Sequence, residues 1–191
     1  VSGGRVIVLA STSPRRRALL SSWGIKFLEI PPKVSERSSE KDPRKLVLLL
    51  SRRKARAVRG RAPKDALIIG SDLVVFFQGK IYGKPKGRKE AKKTLLSFSG
   101  KSQEIFCGVT VIDNSTGREV SGVARARIFF RKFGEREAEK YVRSGEYKGK
   151  AGGYAIQGEG KRLILRHSGE LSAIIGLSKR LVFRGISSLQ K

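Results

Sequence analysis

Cysteine and histidine are nearly missing from this chain, with one of each in 191 residues. Cys107 has no partner for an internal disulfide, and Cys107 with His167 cannot supply the ligand set of a zinc site. No apolar run approaches the roughly 20 residues that span a bilayer. These absences exclude a disulfide scaffold, a zinc module and a membrane-spanning helix, and they suit a reducing, cytoplasmic setting. Acids are scarce as well: 16 Asp and Glu stand against 42 Lys and Arg, a net charge of +26. Such an imbalance calls for nucleic acid, an anionic membrane surface or a phosphorylated small molecule, or else reflects a generally basic surface. The basic residues run along the whole chain. None of the tails, basic helices or basic-aromatic clusters of a discrete nucleic-acid module stands out.

What is present is the composition of a folded protein, 39% hydrophobic and 30% charged, of a length that suits one α/β domain over residues 1–191. The run "RVIVLA", 5–10, has the length and β-branching of a buried strand. "STSPRRRALL", 11–20, follows as a turn and a helix, with Ser13 as N-cap, Pro14 at the first helical position and Gly24 as the stop. Arg15, Arg16 and Arg17 therefore occupy the end of a helix that already carries partial positive charge. Each costs about 0.3–1 kcal/mol there if exposed. An anion at that end would remove the cost.

Three further charges are out of place. Glu36 lies in a loop rich in Pro, Ser and charge. Asp42 and Pro43 then read as N-cap and first residue of a helix through Val58, on which Lys54 shares the apolar stripe of Val47, Leu50 and Val58. Such a lysine either snorkels to the surface or lines a cleft. "ALIIGSDLVVFF", 66–77, is the strongest strand signal and carries Asp72 in its middle. That carboxylate is either in a turn at "GSD" or paired, metal-bound or cleft-facing, because burying it alone costs several kcal/mol. Lys84 sits between Gly83 and Pro85 in a constrained loop. Beyond it the pattern predicts a helix over 88–98, a long antiparallel hairpin around "NSTG" 114–117, and a helix after it. A glycine-dense loop over 147–160 follows, with an extended piece at 154–156 and the amide Gln157. A strand over 162–167 and a closing helix over 173–189 complete the chain.

"LASTSPRRRALL", "RKARAV", "IIGSDLVV", "IYGKP", "SFSGKSQEIFCGV", "GEYKGKAGGYAIQGEG" and "SGELSAIIGLS" occur in an order that resembles the Maf family, from about Val6 to Leu181. The resemblance implies a fold like that of the inosine triphosphate pyrophosphatases (Maf/Ham1): a mixed, twisted sheet with flanking helices and two lobes around a cleft. It implies a metal-dependent nucleoside triphosphate pyrophosphatase, a nucleotide diphosphatase that releases the monophosphate and pyrophosphate. The family is linked to clearance of non-canonical nucleotides and to septum formation, and similar proteins are often homodimers. By the same resemblance, Ser11, Arg15 and Arg16 match the phosphate-cradling motif. Lys54, Asp72 and Lys84 match the cleft charges, and Glu36 the acidic loop. Gln157 matches a glutamine near the base or ribose. Glu36 and Asp72 would hold Mg²⁺ or Mn²⁺, with Asp72 as proton acceptor.

The chain also departs from the family pattern. After "GSD" the family commonly has Thr in members acting on dTTP and UTP and Gln in those acting on 7-methyl-GTP, where this chain has Leu73. The surrounding "GKIYGKP" is closer to the dTTP/UTP group, with 7-methyl-GTP hydrolysis or nucleic-acid binding on the same scaffold as alternatives. The family's Asp in "DKAG" is Gly149 here, and a frequent His is Gln103.

Overall fold

The computed structural model describes residues 4–190. Strand β1 (Ile7–Ala10) and the first half of β3 (Leu67–Phe77) are apolar and buried on both faces, and they pair in parallel. Between them run α1 (Pro14–Ser22), the short β2 (Leu28–Glu29) parallel to β1, and α2 (Pro43–Arg56). Parallel neighbours need such crossovers. At Gln78 and Gly79, both at positive φ, β3 turns into β4 (Lys80–Tyr82), a two-residue hairpin loop that suits strand twist. After α3 (Arg88–Phe98) come the long antiparallel strands β5 (Ser102–Asp113) and β6 (Glu119–Phe130). Then follow α4 (Glu135–Arg143), β7 (Ile164–Ser168), α5 (Leu171–Ile175) and α6 (Lys179–Leu189). The sheet runs β2-β1-β3-β5-β6-β7, with β4 on β3. It is the mixed sheet with flanking helices that the sequence predicts.

Strand alternation divides the helices between the two faces. Ile7, Leu9, Ile69 and Val109 pack against Leu20 of α1 and against α5 and α6, while Val75, Ile105 and Ile128 pack against Leu95 and Phe98 of α3 and Tyr141 of α4. These two cores sit at opposite ends of one sheet face and give the fold its two lobes. Among the described residues, α2 is the one helix on the other face, through Val47, Leu50 and Ala55.

One expectation needs correction. The closing helix over 173–189 is two helices, because Gly176 adopts φ 132° and turns its carbonyl to accept hydrogen bonds from Arg16 Nε at 2.8 Å and Ser71 Oγ at 2.9 Å. Ser178 restarts the chain as N-cap of α6. The expected extended piece at 154–156 begins at Tyr154, at φ −144° and ψ 163°, and pairs with no strand among the described residues. It lies between 3-10 turns at Ala151–Gly153 and Gly158–Leu163, held where Ala155 N–H donates to Tyr141 Oη at 3.1 Å.

Candidate active site

The parallel register of β1 on β3 ends at Ala10 opposite Gly70, and the antiparallel register of β4 begins at Tyr82 opposite Val75. Among the described residues, 71–74 therefore have β5 on one side and no strand on the other. A cleft of about 840 Å³ opens at this gap. Its walls are the β1–α1 turn, the loop carrying Glu36, the inner side of α2, the segment after β4 and residues 148–151.

Asp72 lies on the gap in mid-strand, so the turn alternative at "GSD" does not occur. Its Oδ1 accepts from Lys54 Nζ at 2.5 Å, and the same ammonium reaches Glu36 Oε1 at 2.7 Å. Lys54 does not snorkel: its side chain is 7% exposed and that of Asp72 10%. Lys84 Nζ reaches Glu36 Oε2 at 3.4 Å. Burial pushes the Glu36 carboxyl up, but the hydrogen bond and charge of Lys54, aided by Lys84, outweigh it and hold the group below its ordinary value.

Two glycines set this geometry. A Cβ on Gly70 would fall 2.3 Å from the Ser51 carbonyl oxygen, and one on Gly108 would fall 2.3 Å from that of Val47. The backbone of α2 thus rests directly on β3 and β5, close enough for Lys54 to reach Asp72. Ser51 Oγ to Thr110 Oγ1, 2.9 Å, ties the same turn of the helix to β5.

At the opposite wall Ser13 and Pro14 begin α1 as expected, although the Ser13 side chain makes no capping bond. Buried Ser11 instead accepts from Ser13 N–H at 3.1 Å and lies 3.4 Å from Arg16 Nη1. Arg15 and Arg16 line the cleft, whereas Arg17 turns outward to a bidentate pair with Glu29, at 2.6 and 3.0 Å. Burial lowers the pKa of Arg15, and the charge of Arg16 lowers it further. No carboxylate pairs with Arg15 among the described residues, so its charge is held at a cost that an anion would relieve.

Lys148 and Lys150 also line the cleft and were not singled out from the sequence. The signal was two lysines one residue apart in a glycine-dense loop. Burial and the charge of Arg15 lower the pKa of Lys150, whose Nζ donates to the Glu146 carbonyl. Among the described residues, six cations and two carboxylates line the cleft, a surplus of four positive charges.

Leu73 and Gln157 are placed differently from the charges. Leu73 points to the other sheet face from Asp72 and borders both the cleft and a small adjoining slot. Gln157 is exposed and lines only the slot, with Arg15, Val75, Ile105, Tyr154 and Ile174. Behind it Gln103 Nε2 donates to Tyr154 Oη, leaving the buried Gln103 Oε1 without a partner among the described residues. Burial pushes the Cys107 thiol up to about 11, which removes it as a thiolate nucleophile at neutral pH.

The donor set bears on a metal. Among the described residues no group of three or more His, Cys, Asp or Glu side chains converges. Glu36 and Asp72 do converge, since both meet one ammonium. Two carboxylates beside an anion site fit Mg²⁺, which is commonly held by one or two carboxylates together with substrate phosphates.

A mixed α/β sheet interrupted at β3, with a buried lysine–aspartate pair in the gap and cations on both walls, defines the class of protein. The chain belongs to the Maf-like protein family, which it matches over residues 6–189. A dTTP/UTP pyrophosphatase of Deinococcus radiodurans is 44% identical over 178 residues, 93% of this chain and 90% of that protein. A dTTP/UTP pyrophosphatase of Pyrococcus horikoshii is 38% identical over 180 residues, 93% of each chain. The Ham1 protein of Staphylococcus aureus overlaps 97% of this chain and 96% of its own at 15% identity and a TM-score of 0.47, too loose a likeness to carry an argument.

Proposed function

We propose that this chain, acting as one domain, hydrolyses nucleoside triphosphates, dTTP and UTP above others, to the monophosphate and pyrophosphate. The observation that carries the reading is the cleft's surplus of four positive charges around two converging carboxylates. A nucleoside triphosphate brings about four negative charges to such a site, where opposed charges interact more strongly than in water. The base preference rests on the relatives' names.

Arg15, Arg16, Lys148 and Lys150 bind the phosphate chain, helped by the backbone N–H groups at the start of α1. Lys84 holds the Glu36 loop against the substrate. Asp72 orients a water for in-line attack at the α-phosphorus and accepts its proton as the bond to the bridging oxygen breaks and pyrophosphate leaves. Lys54 holds Asp72 in place and offsets charge that builds on the phosphoryl oxygens. Glu36 and Asp72 would hold Mg²⁺ or Mn²⁺, which would supply Lewis-acid stabilisation of the phosphoryl oxygens. The base lies in the cleft against Leu73, with Gln157 beside it; the slot between them, about 20 Å³, has room for a water and not for the base itself.

The test is pyrophosphate release by the purified chain with Mg²⁺ or Mn²⁺ over dTTP, UTP, CTP and 7-methyl-GTP. Turnover of dTTP and UTP that chelation abolishes supports the reading. Preference for 7-methyl-GTP overturns the base assignment, and silence across the panel overturns the reaction.

A further inference from the structure

The cleft uses six of the chain's 42 basic residues, and a second cationic feature lies outside it. On the sheet face that α2 only partly covers, β6 presents Glu119, Ser121, Val123, Arg125, Arg127 and Phe129. The twelve residues of β6 span about 40 Å. Two carboxylates lie along this line, and each is already held by two guanidinium groups. Glu104, opposite Arg127, accepts from Arg125 and Arg127. Glu119 meets Arg52 Nε and Arg56 Nη2, both at 2.9 Å, reaching across from α2. All four arginine side chains remain 45–62% exposed. Their unused N–H groups are open to a further acceptor.

The line continues at both ends. Beyond Arg127, the Arg166 guanidinium lies 3.6 Å from the centre of the half-exposed Phe129 ring. Beyond Arg56, Arg59 and Lys64 border an open concavity of about 730 Å³. None of these residues lines the nucleotide cleft. The arrangement is a basic track on strand β6, walled on one side by α2 and carrying one aromatic ring.

We infer that this track binds the sugar-phosphate backbone of single-stranded nucleic acid. Charge complementarity selects the occupant. Arginines in a row suit successive phosphates, and their bidentate N–H geometry matches phosphate oxygens. A track walled on one side, with an Arg166–Phe129 stack at its end, suits one strand with a base resting on the planar groups. With the carboxylates on the line neutralised in pairs, the surplus does not depend on the base sequence bound. The resulting affinity is ionic and sequence-tolerant.

The experiment is fluorescence anisotropy with a labelled dT20 oligonucleotide from 50 to 200 mM salt, using the whole chain. The Arg125→Ser/Arg127→Ser variant and the Arg56→Ser/Lys64→Ser variant test the two ends of the track. Lys89→Ser/Lys93→Ser on α3 removes the same charge elsewhere, and Arg16→Ala probes the cleft. Each track variant is expected to weaken binding about tenfold and to reduce the slope of log affinity against log salt by about 1.4, two phosphate contacts on a single strand. Nucleotide hydrolysis by the track variants should be unchanged, which also shows that they fold. Equal losses in the α3 variant would replace the track with diffuse attraction. Loss in Arg16→Ala alone would place the oligonucleotide in the cleft, and tighter binding of a duplex of the same length would overturn the single-strand assignment. Absence of measurable binding at 50 mM salt would overturn the inference outright.

Discussion

Asp72 and Asp113 are both buried, both on central strands and both held by a basic side chain, yet they are built for opposite ends. Asp113, at the end of β5, is held at both oxygens. Arg5 grips it bidentately at 2.6 and 3.1 Å, and Ser115 adds its N–H at 3.0 Å and its hydroxyl at 2.7 Å. Asp72 gives one oxygen to Lys54 and lines the cleft with the other unengaged among the described residues. A buried carboxylate held at both oxygens fixes a turn. One with a whole oxygen free beside a cavity is equipped to take a proton.

The largest expected effect comes from breaking the second kind of site. Asp72→Asn keeps the shape and the hydrogen-bonding edge but removes the base, and kcat should fall by about 10²–10⁴-fold with the melting temperature nearly unchanged. Wild-type turnover in that variant, by pyrophosphate release, would remove Asp72 from its proposed role. Lys54→Ala strands the Asp72 charge against buried surroundings and should cost about 3–5 kcal/mol of stability in a urea melt, besides turnover.

At the other carboxylate, Asp113→Asn should leave kcat intact and lower stability by about 2 kcal/mol, a fall in Tm of about 4–8 °C. The Arg5 hydrogen bonds hold folded Asp113 well below the ordinary carboxylate range, with the unfolded group near 3.9. Its stabilisation is therefore complete above that value and is lost as the pH falls toward the folded value. The gap between wild type and variant, read by thermal melts, should narrow below about pH 3. An unchanging gap across pH 2–7 would separate Asp113 from the acid response. The smallest effect belongs to the neighbour of Asp72. Leu73→Thr adds one hydroxyl at the border of cleft and slot, and should shift the ratio of kcat/KM for dTTP and UTP over other nucleotides by less than about tenfold, one hydrogen bond's worth.

Asp72 and Lys54 were legible in the sequence because each violated a period: an acid inside an apolar strand and an ammonium inside an apolar helical stripe. The strands were legible from the same alternation, and α2 from Asp42 and Pro43, whose cap the structure reproduces with Arg44 and Lys45 N–H groups on the Asp42 carboxylate. Gly176 was not legible as a break, since what holds its carbonyl comes from Arg16, 160 residues away, and from Ser71. Lys148 and Lys150 were missed for a related reason. A loop has no period to violate, so only the fold shows which of its charges face inward. Arg17 shows the converse, because nothing local separates it from Arg15 and Arg16 until Glu29 is brought alongside.

The bare Cα atoms of Gly70 and Gly108 carry a final consequence. Neither residue has a side chain to offer a nucleotide, yet together they determine how deep the helix sits. The tolerance of the cleft is thus tighter at its floor than at its rim. A single added methyl there would lift Lys54 off its aspartate, undoing the proposed catalytic pair from positions that line no part of the cleft.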